Sequence, residues 1–114
     1  MRIRLLTNQA DGVPVPIVID KLPALVGQSD RANVRLGGDS VSQCHCKLTN
    51  FEGNLIVHDL ESENGTLVNG VSVLQAPVFP GDRLTLGSYR FVVAYEREAT
   101  EEPPERLLRG AIAV

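Results

Sequence analysis

Asp59-Leu60-Glu61-Ser62-Glu63-Asn64-Gly65-Thr66-Leu67-Val68-Asn69-Gly70 is the stretch that decides the fold class of this chain. Two Asn-Gly pairs stand five residues apart in it. Asn-Gly is a strong hairpin signal, because both residues tolerate the positive φ of a type I′ turn. The spacing therefore predicts a strand ending near Leu60, a reversal at Asn64-Gly65, a short strand Thr66-Leu67-Val68, and a second reversal at Asn69-Gly70. An asparagine amide held on such a loop donates and accepts at once, which suits it to gripping another backbone.

The same rhythm extends outward. Short apolar runs occur at Ile3 to Leu6, Val15 to Ile19, Ala24 to Val26, Asn33 to Leu36, Cys46 to Thr49, Leu55 to Leu60, Val71 to Leu74, Arg83 to Leu86 and Tyr89 to Tyr95. Turn signals separate most of them: Asp11-Gly12, Gly37-Gly38-Asp39, Glu52-Gly53-Asn54, Pro80-Gly81-Asp82 and Gly87-Ser88. Many short strands with frequent turns imply an all-β antiparallel sandwich. No window in residues 1–95 keeps a helical apolar period. Pro14 and Pro16 suit only an edge strand, so residues 13–19 are expected at a sheet edge. From Glu96 the chain turns acidic and carries Pro103-Pro104, which divides it into a domain over 1–95 and a linker or tail over 96–114. The role of the apolar residues 107–114 stays open.

Bulk properties exclude more than they specify. The 114 residues suit one domain, with 43% hydrophobic and 22% charged side chains. Residues 1–95 hold 8 basic and 9 acidic side chains, so no basic face points to nucleic acid. No apolar run approaches the roughly 18 residues that span a bilayer, and the N-terminus turns polar too soon for a secretory signal. A cytoplasmic location and no membrane partner are expected. Cys44 and Cys46 flank His45; at i and i+2 on a strand they face one way yet sit too far apart to bond. With His58 the only other histidine, neither a metal site nor any other cofactor is expected.

Taken together, five segments resemble the forkhead-associated (FHA) domain over about residues 3–95. They are Val26-Gly27-Gln28; Ala32 to Leu36; Val41-Ser42-Gln43-Cys44-His45-Cys46-Lys47-Leu48; Val57 to Gly70; and Pro80 to Gly87 with the strand from Tyr89. The resemblance implies an FHA-like sandwich of about eleven mostly antiparallel strands in two sheets. It also implies a non-catalytic signalling module that reads phosphothreonine in an extended peptide through loops at one end. In such domains a Gly-Arg arginine and the serine of Ser-x-x-His meet the phosphate or nearby peptide, the histidine braces the loops, and the asparagine of Asn-Gly-Thr bonds the peptide backbone.

Carried onto this chain, the expected phosphopeptide-binding residues are Gln28, Ser42, Gln43, Glu63 and Asn64, with Arg31 swinging in. Gly27, His45, Gly65 and Asn69 are expected to be structural. The chain departs from the family at the rim. Gln28 replaces the arginine, Gln43 takes an often basic position, and Glu63 stands where phosphate binders commonly have Ser or Thr. A hydrogen bond to a charged group contributes roughly 1.5–3 kcal/mol, so losing an arginine contact weakens binding about tenfold to a hundredfold. A carboxylate about 6 Å from a phosphate dianion adds roughly 1 kcal/mol of repulsion. Weakened phosphate affinity is the expectation.

Other readings stand beside it. A degenerate FHA domain would make phosphate-independent protein contacts or associate weakly with itself. Thr100, once phosphorylated, would dock on a neighbouring copy. Ser42, His45 and Asp59 supply the residue types of a hydrolytic triad, but no Gly-x-Ser-x-Gly elbow and no Gly-x-x-x-x-Gly-Lys loop is present, so no enzyme is expected.

Overall fold

The structure, a computed structural model, describes residues 1–7 and 16–96. The Asp11-Gly12 turn, Pro14, Thr100, the Pro103-Pro104 linker and the apolar segment 107–114 lie outside the described residues.

Eleven strands form two sheets. They are β1 (Ile3–Thr7), β2 (Ile17–Ile19), β3 (Ala24–Gly27), β4 (Val34–Arg35), β5 (Cys46–Phe51), β6 (Asn54–Asp59), β7 (Thr66–Val68), β8 (Val71–Ser72), β9 (Gln75–Val78), β10 (Arg83–Leu86) and β11 (Tyr89–Tyr95). One sheet runs β2-β1-β11-β10-β7-β8 and the other β4-β3-β5-β6-β9. Every pairing is antiparallel except β3 with β4, where Val26 lies opposite Val34 and Gly27 opposite Arg35. The all-β sandwich read from the sequence is the observed architecture.

Alternation dictates which face of each strand is buried. Ile3 and Leu5 of β1, Phe91, Val93 and Tyr95 of β11, and Leu84 and Leu86 of β10 face inward from one sheet. Val26, Cys46, Leu48, Leu55, Val57 and Val78 answer from the other. Fully burying one Leu or Val contributes roughly 1.5–3 kcal/mol, so this two-sided core holds the sheets face to face. Tyr95 adds a polar tie: its hydroxyl accepts from the Leu55 amide at 3.2 Å and donates to the Val78 carbonyl at 2.6 Å.

The Asn69-Gly70 reversal is as read from the sequence. Val68 pairs with Val71, and the two turn residues have φ of 52° and 83°. The Asn64-Gly65 reversal is not a hairpin. β6 and β7 belong to different sheets, so the chain crosses between them through a longer loop. Gly65 has a φ of 85°, and the other left-handed residue of this loop is Glu61, not Asn64. β9 was not foreseen, because Gln75-Ala76-Pro77-Val78 neither alternates nor lacks proline; its place at a sheet edge is what admits Pro77. β2 sits at an edge as expected of residues 13–19, with its described strand confined to 17–19.

Candidate functional site: a loop cluster at one end of the sandwich

Four strand connections converge at one end: residues 28–33, 36–45, 60–65 and 87–88. Hydrogen bonds join them directly. Gln28 donates its amide to the Ser42 carbonyl at 2.9 Å, and Ser29 donates to the Gln43 carbonyl at 3.1 Å. This close apposition needs a glycine at position 27, because a Cβ there would lie 2.2 Å from the Gln43 carbonyl oxygen. Gly87 is required twice over: its φ is 62°, and a Cβ would meet the Ser40 carbonyl oxygen at 2.3 Å.

His45 is fully buried behind this cluster. Its Nδ1 accepts from the Ser42 amide at 3.2 Å, and its Nε2 bonds the Gly65 carbonyl at 2.8 Å. Only the neutral ring protonated at Nε2 satisfies both partners, so His45 ties the 36–45 loop to the 60–65 loop. Both ring nitrogens engage the backbone, which leaves neither to bond the Ser42 hydroxyl or Asp59.

Asp59 organises the 60–65 loop from its other side. Its carboxylate accepts hydrogen bonds from the Ser62 hydroxyl, from the Thr66 hydroxyl at 2.7 Å and from the Ser62 amide at 3.3 Å. Burial acts to raise its pKa, but the Ser62 and Thr66 hydrogen bonds outweigh it and hold the carboxyl below its usual value. Opposite Asp59 on β5, burial pushes the Cys46 thiol up to about 12, with the Asp59 charge assisting. Cys44 and Cys46 are both free thiols. They do not face one way: Cys44 is exposed and Cys46 buried, because β5 begins only at Cys46.

The structure brings together five of the six expected binding residues. Ser42 Oγ accepts the Glu63 amide at 2.9 Å. Gln28 Nε2 donates to the Gly38 carbonyl at 2.9 Å, and Gln43 Nε2 donates to Gln28 Oε1 at 2.8 Å. Asn64 Nδ2 donates to the Ser40 carbonyl at 2.8 Å, so its side chain also ties two loops. Arg31 stands apart. It is exposed in the 28–33 turn, where its amide donates to Ser29 Oγ at 3.1 Å, and it does not line the cleft between the loops. Of the expected structural residues, Asn69 lies at the opposite end of β7. Its amide and Oδ1 bond the Arg83 carbonyl and amide at 2.8 and 3.0 Å.

Two residues of this candidate site lie outside the expected set. Arg35 lines an open cleft of about 600 Å³ with Gln28, Asp30, Gly37 and Gln43. The alternation of buried Val34, exposed Arg35 and buried Leu36 would have placed it on the outer face. Ser40 is the hub of the loops: its carbonyl holds Asn64, and its hydroxyl is 3.0 Å from both the Ser88 hydroxyl and the Ser88 amide. Tyr89 braces the same loop by donating to the Gly37 carbonyl at 2.8 Å. Among the described residues no group of three His, Cys, Asp or Glu side chains could hold a metal ion, and no helix is long and apolar enough to cross a membrane.

A two-sheet sandwich with its ordered loops gathered at one end defines a loop-presenting β module. This chain belongs to the FHA domain family, whose family model matches residues 24–87. It is 34% identical over 101 residues to the proliferation marker protein Ki-67 of Homo sapiens, a match covering 86% of this chain and 3% of Ki-67. The chain thus spans only a small part of that relative's length. Among solved structures it is similar to the FHA domain of the CT664 protein from Chlamydia trachomatis, with a TM-score of 0.75, 22% identity, and coverage of 84% of this chain and 99% of that one. It is also similar to an FHA domain studied for phosphothreonine-dependent interactions, with a TM-score of 0.74, 25% identity, and coverage of 84% and 98%.

Proposed function

We propose that this domain is a non-catalytic signalling module that binds phosphothreonine peptides through the 28–33, 36–45 and 60–65 loops, with a weakened grip on the phosphate. The observation that carries the reading is the Ser42 hydroxyl. Its oxygen already accepts the Glu63 amide, so its own hydrogen is left to donate to an incoming phosphate oxygen. Gln28 and Gln43 each keep one further amide hydrogen beyond the bonds they make. The 25% identity to a domain with phosphothreonine-dependent interactions supports the same reading. Weakening follows from Gln28, Gln43 and Glu63 at the rim: neutral donors stand where the family often has cations, and a carboxylate faces a dianion. A cytoplasmic setting is proposed on the free Cys44 and Cys46.

One observation favours a second reading. The Gln28 and Gln43 amides bond each other and the Gly38 carbonyl, so the loops are held without any phosphate. A phosphate-independent protein partner, or a second copy of the domain, would then meet a preformed surface.

Titration of the domain against a degenerate phosphothreonine peptide pool, with the unphosphorylated pool as control, separates the two. Saturable binding to the phosphorylated pool alone is expected. Equal binding to both pools, or binding to neither, would overturn the phosphothreonine reading.

A further inference from the structure

Residue 28 carries no charge, yet a phosphate dianion in a protein cleft is normally met by a cation. Gln28 is the first wall of the cleft at this end of the sandwich, and Arg35 is another. Arg35 reaches that position because β4 runs parallel to β3 with Gly27 opposite Arg35, so its side chain emerges beside the 28–33 loop. There its Nε donates to the Gln28 carbonyl at 3.1 Å. The backbone amide of Gln28 in turn donates to the Ser42 carbonyl at 2.9 Å, which places the guanidinium two hydrogen bonds from the serine of the binding loop.

That single Nε bond fixes the direction of the guanidinium while sparing its four Nη hydrogens. Asp30 lines the same cleft, but no carboxylate of the described residues lies within ion-pair distance of Arg35. An arginine anchored through Nε, with an unpaired two-nitrogen edge in a cleft beside two amide donors, is arranged for a bidentate oxyanion. Arg31, the other nearby cation, does not line the cleft.

We propose that Arg35 is the phosphate-binding cation of this domain, supplying from the β4 wall the charge that residue 28 lacks. The proposal rests on the phosphopeptide reading above and identifies which residue carries its electrostatics. It makes affinity salt-sensitive even though the family arginine is missing, because the interaction is a charge pair at an open site.

The test is titration of the phosphothreonine peptide pool, at low and high sodium chloride, into wild type, Arg35→Gln, Arg35→Lys and the double variant Arg35→Gln with Gln28→Arg. Urea midpoints of all four report on the fold. Arg35→Gln is expected to weaken binding about tenfold to a hundredfold and to flatten its salt dependence. Arg35→Lys is expected to keep the salt dependence at intermediate affinity, and Gln28→Arg to restore binding to the Arg35→Gln protein. Wild type that binds the pool while Arg35→Gln binds equally, with unchanged salt dependence, would overturn this proposal and leave the phosphopeptide reading standing. Wild type that fails to bind the pool would overturn both.

Discussion

The backbone amide of Glu63 donates to the hydroxyl of Ser42 at 2.9 Å, across 21 residues of chain. Position 63 is therefore fixed beside the hydroxyl expected to meet phosphate, whatever side chain it bears. In this chain that side chain is an exposed carboxylate, and Gln28 on the neighbouring loop is neutral. The double substitution Gln28→Arg with Glu63→Ser leaves the Glu63 amide bond in place while adding a cation and removing an anion. It is expected to tighten phosphothreonine-peptide binding about tenfold to a hundredfold in the same titration. Unchanged affinity would show that positions 28 and 63 do not face the phosphate.

His45 joins the two loops that carry Ser42 and Asn64, through the Ser42 amide and the Gly65 carbonyl. His45→Ala removes both partners and leaves a buried donor and a buried acceptor unpaired, at about 1–3 kcal/mol each. A loss of about 2–5 kcal/mol in urea unfolding is expected, with broadened amide resonances at Ser42, Glu63 and Gly65. A loss under about 1 kcal/mol would mean that the ring does not brace the loops.

Much of the fold was legible because its signals are local. Asn69-Gly70 makes the two-residue hairpin that its residue types require, and the strict alternation of β1, β10 and β11 shows in their buried faces. The Asn64-Gly65 pair misled, since the same dipeptide serves a loop that changes sheets; which sheet a strand joins is not written in its turn. The loop cluster was legible where motif residues carry it, as at Ser42, His45 and Asn64, whose hydrogen bonds tie the loops together. Ser40 was not, because its contacts with Asn64 and Ser88 span 24 and 48 residues and depend on loops that meet only in the folded chain. Arg35 was visible in the alternation of β4, but the parallel pairing that aims it at Gln28 was not.

Asp59 makes the loop end of the sandwich sensitive to acid. Its folded pKa lies below the ordinary aspartate value, through hydrogen bonds from Ser62 and Thr66 that outweigh the effect of burial. A depressed carboxyl pKa stabilises the fold above the unfolded value, roughly 3.9, and that contribution disappears as pH falls through the folded value. Wild type is therefore expected to lose urea resistance below about pH 4 more steeply than Asp59→Asn. The two proteins should differ most near neutral pH and converge on acidification. Parallel pH profiles for the two would show that Asp59 does not couple stability to pH.

Tyr95 ties the sheets together at the last strand. Its ring is buried, and its hydroxyl sits between the Leu55 amide of β6 and the Val78 carbonyl of β9, although β11 belongs to the other sheet. Replacing it by phenylalanine keeps the apolar contact and deletes only the oxygen. Two backbone groups then lose a partner where water is excluded, which costs about 1–3 kcal/mol. Tyr95→Phe is expected to lower the unfolding free energy by that amount, read as a lower urea midpoint with an unchanged slope, since the surface exposed on unfolding is the same. Because Tyr95 lies on the end of β11 away from the 87–88 loop, peptide binding at native temperature should be unaffected. A midpoint equal to that of wild type would mean that β6 and β9 close on each other without the hydroxyl, and that the apolar faces alone hold this end of the sandwich.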